Sequence, residues 1–167
     1  MVIRTESPDD LIGIYQVNVS AFDTAAEADL VNTLRDTTLS LISLVAEDEG
    51  EIVGHLLFSP VTLTGHPELK LAGLAPMAVI PSRQNSGIGS ALVRAGLAMC
   101  REQGYDAIVV LGHPRYYPRF GFIPSVSFGI RSEEDVPDDV FMVLELKKGI
   151  LAEVQGMIKF HPAFAVV

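Results

Sequence analysis

The sequence of 167 residues contains a single cysteine, Cys100, and fewer basic than acidic side chains. One cysteine cannot form an internal disulfide, and this usage fits a reducing cytoplasm. The chain has 12 Lys and Arg against 21 Asp and Glu, which gives a net charge of −9 at pH 7. Such a charge disfavours a surface that binds nucleic acid, and it is compatible with a cationic amine substrate or simply with solubility.

Other absences narrow the class of protein further. No apolar run is long enough to span a bilayer, and no basic segment followed by an apolar one suggests a signal peptide, so we expect no membrane association. No group of His, Cys and carboxylates has a metal-ligand spacing, so no metal is expected. We predict one domain over residues 1–149. Residues 150–167 are too apolar for an inert tail and are predicted to pack as an extension, either as an added strand or as a homodimer contact.

The most informative stretch runs from Leu69 to Gly104. An apolar run ends at Pro81, a polar turn follows, and Gly104 ends the helical pattern after it. This pattern predicts a buried strand that leads into an amphipathic helix. The predicted apolar stripe of the helix comprises Ile88, Ala91, Leu92, Ala95 and Met99.

The turn between strand and helix has the features of an anion site. The first amides of a helix have no partner within the helix and carry the positive end of its dipole, so they favour a phosphate. Gly87 and Gly89 would let a ligand approach the backbone, and Arg83 could add a charge-assisted hydrogen bond. Taken alone, these residues are more typical of an ordinary strand-to-helix turn than of an anion site. They match neither the dinucleotide fingerprint nor the triphosphate loop.

Two motifs together give the stretch a family resemblance. The first is Gln84-x-x-Gly87-x-Gly89 after a strand. The second is the strand Val109–Gly112 followed by the run from His113 to Phe122, in which Tyr117 lies four residues before Gly121. In this order and separation they resemble the acetyl-CoA loop and the tyrosine-bearing segment of the GNAT N-acetyltransferase superfamily. The run is most similar to a bacterial branch of predicted acetyltransferases.

The resemblance implies a fold, a cosubstrate and a reaction. The implied fold is of the α/β (α+β) class, with a central mixed, mostly antiparallel sheet, flanking helices and splayed parallel central strands. The implied cosubstrate is acetyl-CoA, and the acceptor would be the amine of a small molecule or peptide. The reaction would be direct attack on the thioester, polarised by backbone amides of the central strand. The implied cofactor-binding residues are Met77, Ala78, Val79, Arg83, Gln84, Asn85, Ser86, Gly87, Ile88, Gly89 and Ser90.

Two residues are the catalytic candidates that the resemblance implies. Tyr117 is the candidate general acid for the departing thiol, with aromatic packing as the alternative. Glu27 could orient the amine or relay its proton, although a glutamate at a helix start also fits a purely helical role. The central strand lacks the glutamate that many relatives carry, which leaves the base open. His113 could act through water or be a loop histidine with a backbone partner. His55, among apolar neighbours, is predicted to be packed.

Alternation and turn signals place the remaining elements. A short N-terminal strand and two helices precede a hairpin with its turn at Asp48-Glu49-Gly50. A final strand pair is predicted at Ser125–Ile130 and Val140–Leu146. Two other functions stay open: a CoA-binding or interaction module without useful turnover, and a small α/β regulator without a nucleotide ligand.

Overall fold

The computed structural model describes the backbone of residues 1–167 and every side chain except that of Val166. The chain forms two compact units. The first comprises Met1–Ser59, Ala75–Cys100 and Pro162–Val167, and the second comprises Pro60–Leu74 and Arg101–His161. Strands and helices in chain order are β1 Val2–Thr5, α1 Leu11–Phe22, α2 Ala26–Thr37, β2 Ile42–Asp48, β3 Glu51–Leu63, β4 Leu71–Val79, α3 Ile88–Glu102, β5 Ala107–Leu111, β6 Ile123–Pro124, β7 Ile130–Ser132, β8 Phe141–Glu145 and β9 Gly156–Lys159.

Within the described residues, nine strands form a mixed sheet. Hydrogen bonds link them in the order β1-β2-β3-β4-β5-β8-β6, and β9 pairs with β3 and β7 outside this path. Most neighbours are antiparallel, whereas β4 pairs with β5 and β7 with β9 in parallel. The β4–β5 ladder comprises three pairs, from Leu71–Ala107 to Gly73–Val109, although both strands continue, as splayed strands would. The predicted α/β class with a mostly antiparallel sheet is confirmed.

The first unit places helices against the β1-β2-β3 ladder. Apolar side chains of α1 and α2 contact the sheet and form a buried core of Ile14, Leu30, Val31, Leu34, Val45 and Leu57. The predicted hairpin is confirmed, with Glu49 at φ +52° and Gly50 at φ +80° in its turn. A bulge between Ala46 and Glu47 shifts the register just before this turn.

Helix α3 approaches β3 closely at two glycines of the first unit. A Cβ at Gly54 would lie 3.0 Å from side-chain atoms of Ile88 and Leu92, and one at Gly96 would lie 2.4 Å from the ring of Phe58. The buried residues of α3 are Ile88, Leu92, Val93, Gly96, Leu97 and Cys100. The predicted stripe was therefore wrong at Ala91, Ala95 and Met99, which are only partly buried. The glycines allow α3 to pack close to β3, and this packing buries a different set of helix positions.

The second unit builds its core around β5 and β8, which pair over five residues from Ala107–Glu145 to Leu111–Phe141. The C-terminal strand β9 contributes Ile158 to this core, and the segment before it contributes Leu151 and Val154. Strand β9 corresponds to one of the two alternatives given for residues 150–167, an added strand. The complete buried set is Val61, Leu63, Leu71, Ala107, Val109, Ile130, Phe141, Val143, Leu151, Val154 and Ile158.

The predicted strand at Ser125–Ile130 is wrong. Ser125–Phe128 forms a 3₁₀ turn, and Gly129 ends it in the left-handed region at φ +74°. The buried Ser125 hydroxyl donates a hydrogen bond to the Ile130 carbonyl at 2.7 Å, which closes the turn. The strand pairing with β8 is instead β6, while β7 begins only at Ile130.

A search of the described residues for a helix both long and apolar enough to cross a bilayer finds none.

Candidate functional site

The turn after β4 is held by hydrogen bonds from its own residues. The Ile80 amide donates to the Val53 carbonyl at 3.0 Å, which ties the end of β4 to β3. The Gln84 side chain then donates from Nε2 to the Val79 carbonyl at 2.9 Å, and the Ser86 hydroxyl donates to the Arg83 carbonyl. Because these side chains brace the turn, the groups that it offers to a ligand are mainly its backbone amides.

Gly87 lies where the turn becomes helix α3. Its φ of +92° belongs to the left-handed region that favours glycine, and a Cβ placed there would meet no heavy atom within 4 Å. The Ala91 amide donates to the Gly87 carbonyl at 3.0 Å, so the helical hydrogen bonds begin here. The amides at the very start of α3 have no carbonyl one turn earlier in the helix and lie at the positive end of its dipole. This open turn is chemically suited to a phosphate.

Arg83 forms an ion pair that local sequence did not predict. Its Nη2 lies 2.8 Å from Oδ2 of Asp48, the last residue of β2. The Arg83 guanidinium is the main cause of a lowered pKa of the Asp48 carboxyl. The Met1 ammonium also lies 3.5 Å from Asp48 Oδ1. Asp48 therefore brings a negative charge into contact with the candidate loop.

The strand residues predicted to contact acetyl-CoA lie just before the turn. Ala78 is buried, whereas Met77 and Val79 are partly buried on the alternate positions of β4. Asn85 adopts φ +60° and Ser90 lies in the first turn of α3. All of the predicted cofactor-binding residues, from Met77 to Ser90, thus belong to one strand–turn–helix segment of the first unit.

Glu27 also lies in the first unit, in the first turn of α2. Its Oε1 accepts a hydrogen bond from the Thr24 hydroxyl at 3.2 Å. This contact suits a glutamate that stabilises a helix start, and the side chain is only partly buried. Its local role is thus at the start of α2, and its catalytic role stays a prediction.

Tyr117 begins a 3₁₀ turn, Tyr117–Phe120, in the second unit. Its ring packs edge-to-face on Phe122, with centroids 5.7 Å apart, and on Tyr116 at 5.1 Å. A Cβ at Gly112 would lie 2.4 Å from Cε2 of Tyr117, so the ring requires a glycine at that position. Burial, with a smaller contribution from Tyr116, raises the pKa of Tyr117 to about 12. The hydroxyl therefore stays protonated at neutral pH and can act as a donor.

The two histidines considered above have distinct surroundings. His113 Nδ1 accepts a hydrogen bond from the Arg115 amide at 3.2 Å, which is the backbone-partner alternative. His55 is fully buried, with Nδ1 3.1 Å from the Asn18 amide nitrogen and Nε2 2.9 Å from the Ser43 hydroxyl oxygen. Burial, together with the positive charge of Arg35, lowers the pKa of His55 to about 3. His55 is thus packed and hydrogen-bonded, as predicted.

Sequence reasoning missed two residues that shape the candidate site. Asp48 is separated from Arg83 by 35 positions, so no local pattern connects them. Gly112 was named only as the end of a predicted strand, whereas the structure shows that it makes room for the Tyr117 ring. A comparison of many relatives could have revealed the first pair by joint variation.

Comparisons with known proteins agree with the geometry of the turn. Residues 10–122 match the Acetyltransferase (GNAT) family. The chain is 37% identical to Uncharacterized N-acetyltransferase YhbS of Escherichia coli K12 over 165 residues, which cover 98% of each protein. It is 42% identical over 118 residues to Uncharacterized N-acetyltransferase YjhQ of the same strain, covering 69% of this chain and 65% of YjhQ.

Solved structures show the same relationship. The crystal structure of YhbS from Escherichia coli in complex with CoA matches with a TM-score of 0.92 and 37% identity, over 98% of this chain and 91% of that one. A GNAT acetyltransferase from Brucella melitensis in complex with acetyl-CoA matches with a TM-score of 0.78 and 36% identity, over 98% and 97% of the two chains. With the glycine turn in place, these matches show that the chain belongs to the GNAT acetyltransferase family and is an acyltransferase.

Proposed function

We propose that this protein transfers an acetyl group from acetyl-CoA to a primary amine of a small molecule or peptide. The observation that carries the proposal is the open turn at Gly87, which places the start of helix α3, the positive end of its dipole, beside open space. Its support from outside the chain is that relatives at 37% and 36% identity bind CoA and acetyl-CoA. The net charge of −9 is compatible with an acceptor that carries a positive charge in solution.

In the proposed reaction, acetyl-CoA supplies a thioester: the neutral amine forms a bond to its carbonyl carbon, the carbon–sulfur bond breaks, the amine loses one proton and the thiolate gains one. The amides of Gly87, Ile88, Gly89 and Ser90 would hold the pyrophosphate. Backbone amides near Met77 and Ala78 would stabilise the developing oxyanion. No nucleophilic side chain is needed, because holding the two reactants in place supplies much of the acceleration.

Tyr117 is the residue that we propose for the departing sulfur. A phenol with a pKa of about 12 is a weaker acid than a thiol with a pKa of about 8.5, so complete proton transfer from Tyr117 is uphill. Its contribution would therefore be a hydrogen bond to the developing thiolate, which would take its proton from water. Glu27 is proposed to orient the amine from α2, and the base that removes the amine proton stays unassigned.

The second candidate function is a CoA-binding module without useful turnover. The observation that favours it is the absence of any carboxylate from β4, whose sequence is Leu71–Val79 without Asp or Glu. Binding of CoA with no consumption of acetyl-CoA across varied amines would support this function. We further propose a cytoplasmic location, and a homodimer as one role for the C-terminal segment.

The first test is calorimetric titration of the purified protein with acetyl-CoA, beside the variant Gly87→Trp. The indole would fill the open turn, so we expect the affinity to fall at least about tenfold, which corresponds to about 1.4 kcal/mol. Wild-type binding would then justify a screen of amines with detection of released thiol.

Gly65→Trp is the matched control for this variant. Gly65 has φ +80° and, as at Gly87, a Cβ placed there would meet no heavy atom within 4 Å, so a tryptophan imposes a similar backbone strain away from the loop. It should bind acetyl-CoA as the wild type does. The acetyltransferase proposal would be abandoned if folded wild-type protein showed no binding at millimolar acetyl-CoA.

A further inference from the structure

Asp48 forms an ion pair with the one basic side chain of the candidate phosphate turn. The turn and the start of α3, residues 80–90, contain Arg83 as their single Lys or Arg. Its ion pair with Asp48 spans 2.8 Å and joins the end of β2 to the turn after β4. An arriving phosphate would therefore compete with Asp48 for the Arg83 guanidinium.

The geometry of the pair leaves Arg83 able to exchange partners. The contact with Asp48 uses Nη2, so Nε–H and the Nη1 amino group lie outside this ion pair. The side chains of Arg83 and Asp48 are 38% and 26% exposed. Ion pairs with this much contact with water are weak, so Asp48 fixes the position of the guanidinium only loosely. Competition with a phosphate for Arg83 is therefore expected to outweigh the ordering of Arg83 by Asp48.

We propose that Asp48 is a positioning residue that competes with a phosphate of the bound acetyl-CoA for Arg83 and thereby weakens acetyl-CoA binding. The inference rests on the proposed function, because it requires acetyl-CoA to occupy the Gly87 turn. It assigns to this chain an acidic residue that limits affinity for the cosubstrate and for the CoA product alike. Such a residue favours release of the product over its retention.

The decisive variant is Asp48→Asn, which removes the charge and keeps a side-chain oxygen that can accept the Arg83 hydrogen bond. We expect acetyl-CoA to bind roughly fivefold more tightly at low ionic strength, and the gain to shrink at high salt as charges are screened. A residue that served only to order Arg83 would give no gain, because the asparagine oxygen can still accept the Arg83 hydrogen bond. The measurement is calorimetric titration of untagged full-length protein with acetyl-CoA.

Glu49→Gln is the matched control. It removes one negative charge from the residue next to Asp48. The glutamine side chain is similar in size to the glutamate that it replaces at φ +52°. Its effect on affinity should stay below about twofold, since a nonspecific change in the field is screened at the surface. Equal gains from Asp48→Asn and Glu49→Gln would overturn the inference.

A double-mutant cycle with Arg83→Gln completes the test. Arg83→Gln should weaken binding, and adding Asp48→Asn in that background should then give no gain, because the competition acts through Arg83. A gain that persists without Arg83 would overturn the inference and assign the effect to the field of Asp48 alone. If the wild-type protein binds no acetyl-CoA, the proposed function fails first; if it binds and Asp48→Asn changes nothing, only this inference fails.

Discussion

The Tyr117 side chain combines an apolar environment with a polar tip. Phe122 and Tyr116 pack against its ring, and Gly112 allows the ring to lie against the backbone after β5. Among the described side chains none hydrogen-bonds the hydroxyl. A buried ring whose hydroxyl is not held by another side chain is well suited to present a hydrogen-bond donor to a ligand. A buried hydroxyl that has no hydrogen-bond partner destabilises the fold.

Replacing Tyr117 by phenylalanine should lower turnover without changing the fold. The ring contacts persist, whereas the donor to the departing sulfur is lost, so we expect kcat to fall on the order of 10²-fold, at the low end of general acid–base contributions. Some turnover should remain, because positioning of the reactants is unaffected. Thiol release with an amine from the acceptor screen measures kcat, and calorimetry measures acetyl-CoA binding, which should change less than about threefold.

Tyr116→Phe is the control at the adjacent position. It removes the other phenol of the pair and should leave kcat within about twofold of the wild type, because general acid–base catalysis depends on the position of a single donor. If Tyr116→Phe lowered kcat more than Tyr117→Phe, the assignment of the two tyrosines would have to be reversed.

At the scale of elements, the contact between α3 and β3 depends on Gly96. A Cβ there would lie 2.4 Å from Cε2 and 2.9 Å from Cζ of Phe58, and 3.0 Å from Leu56 Cδ2. Gly96→Ala improves helix propensity by up to about 1 kcal/mol but overpacks the interface at a cost of about 1–3 kcal/mol. We expect a net loss of about 1 kcal/mol in the free energy of unfolding, measured by urea denaturation.

Two further variants separate packing from helix propensity. In a Phe58→Leu background the methyl group of Gly96→Ala has more room, so its cost should be smaller than in the wild type. Ala98→Val, on the exposed side of α3, should cost less than about 0.7 kcal/mol. An equal cost of Gly96→Ala in both backgrounds would contradict the proposed steric cause.

Which elements could be predicted from sequence depended on where their signals lie. The hairpin at Glu49-Gly50, the turn at Gly87 and the end of α3 at Gly104 were predicted because turn chemistry is local. Ser125–Ile130 was taken for a strand because its apolar and polar residues alternate, but the Ser125–Ile130 hydrogen bond and Gly129 favour a 3₁₀ turn. The buried face of α3 was misplaced because it is set by Phe58, which is distant in sequence.

The predicted site divides in the same way. The motif Gln84-x-x-Gly87-x-Gly89 predicted the turn, whereas the hydrogen bond from the Gln84 side chain to the Val79 carbonyl was not predicted. The ion pair of Arg83 with Asp48 could not be predicted, because it depends on how the β2–β3 turn meets the end of β4. The roles of Tyr117 and Glu27 came from a family resemblance and stay predictions.

For the whole molecule, we propose one domain of which residues 150–167 are an integral part. Strands β3 and β4 each have residues in both units, so neither unit contains its strands completely. We therefore expect a single thermal transition. Ile158→Asn places an amide in the core of the second unit at a cost of about 3 kcal/mol. The midpoint of the whole transition should fall by about 6–12 °C in calorimetry.

Met157→Asn is the matched control on the same strand. Met157 is 41% exposed, whereas Ile158 is 1% exposed, so the same substitution one position earlier should change stability by less than about 0.5 kcal/mol. Two transitions, of which Ile158→Asn shifted only one, would contradict the single domain and indicate that the units unfold separately.

The last residues of the chain have a consequence for synthesis in the cell. Ala163 and Phe164 pack against the core formed by α1, α2, β2 and β3. The residues of that core are synthesised before Ala163 and Phe164. A ribosome adds about 5–20 residues per second, so these early helices wait several seconds before residues 163 and 164 can cover them. During that interval the nascent chain exposes an apolar surface, and we expect this stage, more than the finished protein, to depend on chaperones.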